Sequence, residues 1–154
     1  MKIIHKILLL NLFLIGFTSC KNKEEARESS ALEPLAYTLY TENSELFVEF
    51  QPLIVGETSK FAAHFKVLGE NFKALTDAKI TVSLIVGDQG IKNSVAAPSS
   101  PGIFRLALSP KTAGTGTLVF DIVTKNFTDK IAIENVVVNA DEKTALAQQP
   151  EQAE

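Results

Sequence analysis

The sequence predicts an all-β fold, a single antiparallel β-sandwich of about seven or eight short strands. Three observations support this prediction. Apolar and polar residues alternate through most of residues 36–140, and this alternation is the period of a half-buried strand. Turn-forming glycine, proline, serine and asparagine residues separate the alternating segments at the spacing typical of a sandwich. No part of this range keeps the 3.6-residue period of a helix.

Eight segments have the character of strands, being rich in β-branched and aromatic residues. They are AYTLYT (36–41), ELFVEFQPL (45–53), SKFAAHFKVL (59–68), KITVSLIVG (79–87), GIKNSV (90–95), IFRLALS (103–109), TLVFDIVT (117–124) and DKIAIENVVVN (129–139). Their phase predicts which side chains face the core. These are Leu46, Val48 and Phe50; Phe61, Ala63, Phe65 and Val67; Ile80, Val82, Leu84 and Val86; and Phe104, Leu106 and Leu108.

The connections add detail to this prediction. The sequence DQG at 88–90 is a tight-turn signal. The segment KTAGTGTLVFDI (111–122) resembles the glycine-containing corner that leads into a late strand of many bacterial immunoglobulin-like domains. We therefore expect the sandwich to be immunoglobulin-like. The polar tail, residues 141–154, is predicted to be mostly disordered, with one or two helical turns before Pro150.

The N-terminus has the pattern of a secretory signal. Lys2 and Lys6 flank the start of an apolar run that continues to Phe17. A positive region followed by about a dozen apolar residues is typical of a cleaved signal peptide. The run is also too short and too interrupted for a comfortable membrane span, which needs roughly 20 apolar residues.

Cys20, the single cysteine in the chain, follows this run directly. Phe17-Thr18-Ser19-Cys20 resembles a bacterial lipobox, in which an apolar residue and two small residues precede a cysteine; phenylalanine here replaces the usual leucine. The resemblance implies cleavage between Ser19 and Cys20 and covalent lipid on Cys20, with no other cofactor expected. Several acyl chains on one residue hold a protein stably at a membrane. The alternative is a buried or free thiol near a cleaved signal.

The predicted organisation therefore has four parts. Residues 1–19 form a lipoprotein signal peptide, and residues 20–35 form the lipidated cysteine with a flexible, charged tether. Residues 36–140 form the sandwich, and residues 141–154 form the tail. We expect a bacterial envelope protein that is lipid-anchored and faces the periplasm, with the outer cell surface as the alternative.

Composition excludes some function classes. The net charge is -3, and removing the signal with its two lysines makes it about -5, which disfavours nucleic-acid binding. Charged residues make up only 21% of the chain, which disfavours disorder along most of its length. With one cysteine, no intramolecular disulfide can form.

The sequence offers little for catalysis or metal binding. His64 is the sole histidine after Cys20, whereas a zinc or copper site usually takes three or four nitrogen or sulfur ligands. His64 is thus a weak candidate for a metal ligand. The favoured interpretation is that His64 is a partly exposed residue on a strand and has no role in metal binding. Asp77, Asp88, Asp121 and Asp129 lie near strand ends but lack the dense spacing of a calcium loop. No nucleophile motif is present either, so we expect a protein that is not an enzyme, with no identifiable small-molecule substrate.

Long phrases of the sequence resemble one family. They are YTLYTENSELFVEFQPLIVGETSKFAAHFKVLGENFKALTDAKITVSLI, GIKNSVAAPSSPGIFRLALSPKTAGTGTLVFDI and NVVVNADEKTA. Across roughly residues 36–146 the chain resembles the N-terminal domain of periplasmic adaptor subunits (membrane-fusion proteins) of RND efflux pumps, in the CusB/HlyD heavy-metal branch. Such adaptors continue into a β-barrel, a lipoyl-like domain and a helical hairpin, whereas this sequence stops at Glu154. The methionine cluster of copper-exporting members has no counterpart here, so no metal ligand is carried over.

The resemblance implies a docking module in the efflux of metal cations or toxic compounds. Its partners would be membrane lipid, through Cys20, and an RND transporter or adaptor. Two alternatives stay open. One is a periplasmic metal-binding chaperone for the pump, and the other is a surface-exposed adhesion or glycan-binding lipoprotein.

Overall fold

The computed structural model describes residues 31–69 and 72–149, and the predicted signal peptide and most of the predicted tether, including Ser19 and Cys20, lie outside these ranges. In the described ranges the chain forms ten β-strands and one short helix. They are β1 (Leu35–Tyr40), β2 (Ser44–Phe50), β3 (Leu53–Ile54), β4 (Ser59–Val67), β5 (Lys73–Ala74), β6 (Lys79–Val86), β7 (Gln89–Val95), β8 (Ile103–Leu108), β9 (Gly114–Val123), β10 (Thr128–Asn139) and α1 (Glu142–Ala147).

The strands form two sheets. In sheet 1 the order is β1-β2-β4, and β4 then pairs with β8 along most of its length and with β5 at its end. In sheet 2 the order is β3-β10-β9-β6-β7. All pairings are antiparallel except the short parallel contact between β3 and β10. The A-B-E strands of an immunoglobulin-like sandwich correspond to β2-β4-β8, and the G-F-C strands correspond to β10-β9-β6. The predicted all-β sandwich is confirmed.

The core lies between the two sheets and is made by the alternating residues that the sequence identified. Of that set, only Val67 is not fully buried. Five phenylalanines dominate the interior, and they are Phe50, Phe61, Phe65, Phe104 and Phe120. Phe120 on sheet 2 lies edge-on to Phe61 and Phe65 on sheet 1, with ring centroids 6.2 and 6.3 Å apart. These aromatic contacts join the two sheets.

Strand β10 changes its phase midway. Ile131 and Ile133 face the core in its first half, and Val136 and Val138 face it in the second. The register against β9 shifts between Ile133 and Val136, and Asn135 in between has φ 58°. A β-bulge of this kind adds one residue to one strand and lets both halves bury their apolar side chains.

Gly116 accounts for part of the small-residue run at the start of β9. A Cβ atom at this position would lie 2.4 Å from the carbonyl oxygen of Ile85 on the neighbouring β6. Glycine is therefore required because the two backbones approach closely here. At the other end of β6, Gly87 has φ 59° and starts the two-residue turn into β7, where a β-hairpin favours glycine.

The C-terminal segment contains the helix that the sequence allowed. Asp141 caps α1 by accepting a hydrogen bond from the Thr144 backbone N–H at 2.7 Å, and Ala145 is buried. At least the part of the tail up to Gln149 thus has a defined place against the sandwich, whereas residues 150–154 lie outside the described ranges. None of the helices in the described ranges is long and apolar enough to cross a membrane.

Candidate functional site

The outer surface of sheet 1 carries a group of aromatic side chains around an ion pair. We call this group the aromatic face, and it consists of Tyr40, Glu45, Phe47, His64, Lys66 and Phe72. Tyr40 is 63% exposed and Phe72 is 52% exposed. Large apolar side chains that stay this exposed on a folded domain commonly mark an interaction surface when they occur together.

Strand register brings these residues together. Tyr40 on β1 lies opposite Glu45 on β2, which lies opposite Lys66 on β4. The next pair on the same face of the sheet is Phe47 on β2 and His64 on β4. Because side chains alternate between the two faces of a strand, these residues share the face opposite the core.

The ion pair sits at the centre of the aromatic face. Lys66 Nζ donates to Glu45 Oε1 at 2.8 Å, and the Glu45 side chain is only 11% exposed. Lys66 also lies 4.9 Å from the centroid of the Phe72 ring, within range of a cation–π interaction. The lysine thereby links a nearly buried carboxylate to an exposed ring.

Two further contacts hold the rings in place. A hydrogen bond to Glu45, together with its negative charge, raises the pKa of the Tyr40 hydroxyl above its ordinary value. The rings of Phe47 and His64 meet edge to face with centroids 5.7 Å apart. Aromatic groups fixed in this way lose little conformational freedom on binding, so they suit a recognition surface.

The aromatic face lies on the half of sheet 1 that is remote from the N-terminal segment. The described chain enters sheet 1 at Leu35, where Gln149 Nε2 donates to the Glu33 carbonyl at 3.5 Å. Tyr40 is five residues further along β1, which corresponds to about 17 Å. The segment that leads back toward Cys20 and the helix α1 therefore share one end of the sandwich, and Tyr40 and Phe72 lie toward the other end.

Asp129 fastens the turn between β1 and β2 to sheet 2. Its carboxylate accepts hydrogen bonds from the hydroxyls of Thr41 (2.5 Å) and Ser44 (2.7 Å) and from Asn43 Nδ2 (3.1 Å). Burial by itself would raise the pKa of Asp129, but these three hydrogen bonds outweigh it and hold the pKa below its ordinary value. Asp129 thus fixes the turn that follows Tyr40.

We expect the Asp129→Asn variant to lower the free energy of unfolding by about 1–2 kcal/mol at neutral pH, because hydrogen bonds to a charged group are the stronger ones. The lowered pKa means that this stabilisation is complete above the unfolded-state value of about 3.9 and is lost as the pH falls through the folded-state value. Urea unfolding of both proteins at a series of pH values measures it. The difference should shrink below about pH 4. Asp88→Asn, in the exposed β6–β7 turn, is the control. If the difference in the free energy of unfolding between the wild type and Asp129→Asn stayed constant in acid, the lowered pKa of Asp129 would be contradicted.

The other residues weighed for metal binding are placed apart. His64 lies half-buried on β4 with its ring against Phe47. Asp77 pairs with Lys125 at 2.7 Å, and Asp121 with Lys130 at 3.5 Å. Asp88 lies in the turn at the opposite end of the sandwich from Asp77. Residues 31–69 and 72–149 contain no group of three or more histidine, cysteine, aspartate and glutamate side chains that could hold a metal ion.

Sequence reasoning missed most of the aromatic face. It left Phe47 out of the core-facing residues of β2 and identified His64, but it did not single out Tyr40 or Phe72. One signal was available, since Phe47 is an aromatic residue at a position whose neighbours in phase, Glu45 and Glu49, are charged. A single aromatic residue in the solvent-facing phase of a strand is ordinary on a protein surface, so this signal alone does not identify a patch.

A cleft of about 560 Å³ opens at the same end of the sandwich as Tyr40. It lies between residues 67–69, residues 73–77 and the β9–β10 loop at 124–127. The ion pair between Lys125 and Asp77 joins its two walls.

No family model matches the chain, and no curated protein matches it. Among solved structures, a crystal structure of FetP from uropathogenic E. coli strain F11, expressed recombinantly in the periplasm of E. coli, is similar. The alignment covers 71% of this chain and 99% of FetP, at 13% identity and a TM-score of 0.42. A similarity at this level carries no argument about function.

Proposed function

We propose that this protein is a lipid-anchored docking module of the bacterial envelope, and that its aromatic face binds a protein partner. The observation that carries the proposal is the position of that face. Tyr40 and Phe72 lie toward the end of the sandwich remote from Leu35, where the segment from Cys20 joins. A partner can therefore reach the face without contact with the membrane that holds the anchor.

The chemistry of the aromatic face suits protein recognition. Interface hot spots are enriched in large aromatic residues that surround groups shielded from water. Here the nearly buried Glu45 and its lysine partner are flanked by Tyr40 and Phe72. A bound partner would exclude water from this ion pair and strengthen it, since the effective dielectric constant falls.

We propose an RND efflux transporter or its adaptor as the partner. The support is the resemblance of residues 36–146 to the N-terminal domain of the CusB/HlyD adaptors, together with the lipobox at Cys20. The tether limits the distance from the membrane at which the domain can bind its partner. Residues 21–34 span at most about 50 Å when fully extended, so the partner must present its surface close to the membrane.

Capture from native membranes tests the proposal. The full chain, with a C-terminal tag, is expressed in its own host, and the proteins that copurify from detergent-solubilised membranes are identified by mass spectrometry. We expect a component of an RND efflux system. The double variant Tyr40→Ala/Phe72→Ala should reduce its recovery by at least about tenfold, because a hot-spot residue contributes about 2 kcal/mol or more.

The matched control is the double variant Val123→Ala/Ile85→Ala. Both side chains are about half exposed, at 49% and 46%, and both lie on sheet 2. This variant should capture the same partner at the wild-type level. The proposal fails if no efflux component is recovered, or if both double variants lose the partner to the same degree.

A further inference from the structure

Strand β1 leaves one edge of sheet 1 open. In the described ranges it pairs only with β2. The Thr41 N–H donates to the Ser44 carbonyl at 2.8 Å, which fixes the direction of the backbone groups along the strand. Since these groups alternate from residue to residue in an antiparallel pair, Leu35, Tyr37 and Leu39 bond to β2. The N–H and C=O groups of Ala36, Thr38 and Tyr40 therefore point away from the sheet.

The other sheet edges in the described ranges carry features that discourage strand addition. Strand β10, which β3 covers only at Val138 and Asn139, has its bulge at Asn135 and the charged residues Asp129, Lys130 and Glu134 on the uncovered part. Strand β7 carries Lys92, and β8 carries Arg105. Bulges and charges of this kind protect edges from pairing with other chains. Strand β1, with the sequence LAYTLY, has no charge, no glycine or proline and no bulge.

The inward side chains of β1 also leave apolar surface uncovered. Leu46 and Val48 on the neighbouring β2 are completely buried. By contrast, Leu35, Tyr37 and Leu39 pack against the core but remain only partly buried. A further strand beside β1 would cover this surface with its own inward side chains.

We propose that β1 pairs with β1 of a second copy of this chain, in antiparallel orientation, about a twofold axis at Thr38. In this register Thr38 faces its own counterpart, and Ala36 faces Tyr40 of the second copy. All the free N–H and C=O groups of these three residues then form hydrogen bonds between the copies. Side-chain size also fits, because a small residue lies opposite a large one, and on the inward side Tyr37 lies opposite Leu39.

A second copy fits this edge better than the chain's own N-terminal segment does. The strand that covers β1 must place apolar residues at alternate positions on the inward side. Residues 21–30, KNKEEARESS, offer one alanine and mostly charged residues. Strand β1 itself has the required alternation and length, and it brings no charge to a twofold axis where like charges would repel. The pairing joins the five-stranded sheet 1 of each copy into one continuous sheet.

Disulfide trapping tests the register. In a hydrogen-bonded antiparallel pair the facing Cα atoms are about 5.5 Å apart, within the range of a disulfide. The full chain keeps Cys20, and the chain without an introduced cysteine serves as the blank. Thr38→Cys is compared with Thr128→Cys, at an exposed position on sheet 2. We expect mild oxidation of cell envelopes to produce a covalent dimer for Thr38→Cys and little for Thr128→Cys.

A charge at the axis is the second test. Thr38→Lys brings two like charges together only in the dimer, whereas Thr128→Lys makes the same chemical change elsewhere. In sedimentation of the detergent-solubilised full chain, Thr38→Lys should weaken the dimer by about tenfold and Thr128→Lys should not. A monomeric wild-type protein, equal trapping at both positions, or trapping of a different protein at position 38 would each overturn the proposal. Capture of an efflux component is a separate readout, so failure of one proposal leaves the other open to its own test.

Discussion

Replacing Phe120 with alanine should lower the free energy of unfolding by about 3–5 kcal/mol, the range measured for large-to-small changes at buried aromatic positions. Phe120 has no exposed surface, and its ring contacts Phe61 and Phe65 on the opposite sheet. Both sheets are needed to fill this region, so neither can collapse into the space without moving the other. Since an ordinary domain has a total stability of about 5–15 kcal/mol, the variant should be close to unfolding. Urea denaturation followed by circular dichroism measures the loss.

Phe72→Ala is the matched control for this prediction. It makes the same chemical change at a ring that is 52% exposed, so it should cost less than about 1 kcal/mol. The two variants thus separate burial from loss of an aromatic ring. Similar losses for both would contradict the placement of Phe120 between the sheets.

The sequence predicted the core well because each sheet has one face that is buried in the core and one face that is exposed to solvent. The buried face requires apolar residues, and the exposed face favours polar ones. Alternation in β4, β6 and β8 identifies the inward residues directly, and the structure buries Phe61, Val82 and Leu106 as expected. The same alternation in β10 would have revealed the bulge, since its apolar positions change from odd to even numbers between Ile133 and Val136. The local alternation of apolar and polar residues is therefore sufficient to identify the core-facing residues wherever burial alone determines the residue type.

The candidate site was less accessible to this reasoning. Tyr40, Lys66 and Phe72 come from three separate segments. The register of β1, β2 and β4, together with the pairing of β5 with β4 next to Phe72, brings them together around Glu45. Register depends on pairing between distant segments, which a single sequence does not state. The free edge of β1 was equally hard to predict from the sequence. A strand edge is known to be unpaired only when the neighbours of every strand in the sheet are known.

The Cys20→Ser variant should lose covalent lipid. This expectation rests on the residues around Cys20 in the sequence, since Cys20 lies outside the described residues. Each buried CH₂ group of an acyl chain contributes about 0.8 kcal/mol to membrane binding, so several chains make release very slow. We expect the wild-type chain to incorporate a labelled fatty acid and to pellet with membranes, and Cys20→Ser to incorporate none.

Two readouts are needed, because an uncleaved apolar signal can itself hold a protein at the membrane. Fatty-acid incorporation reports on lipid at Cys20, and electrophoretic mobility reports on removal of residues 1–19. Ser19→Ala is the control, since alanine keeps a small residue before the cleavage site and should leave both readouts as in the wild type. Labelling of Cys20→Ser at the wild-type level would exclude Cys20 as the attachment point. The docking proposal would then lose its anchor, because the remote position of Tyr40 and Phe72 has meaning only if the segment before Leu35 leads to a membrane.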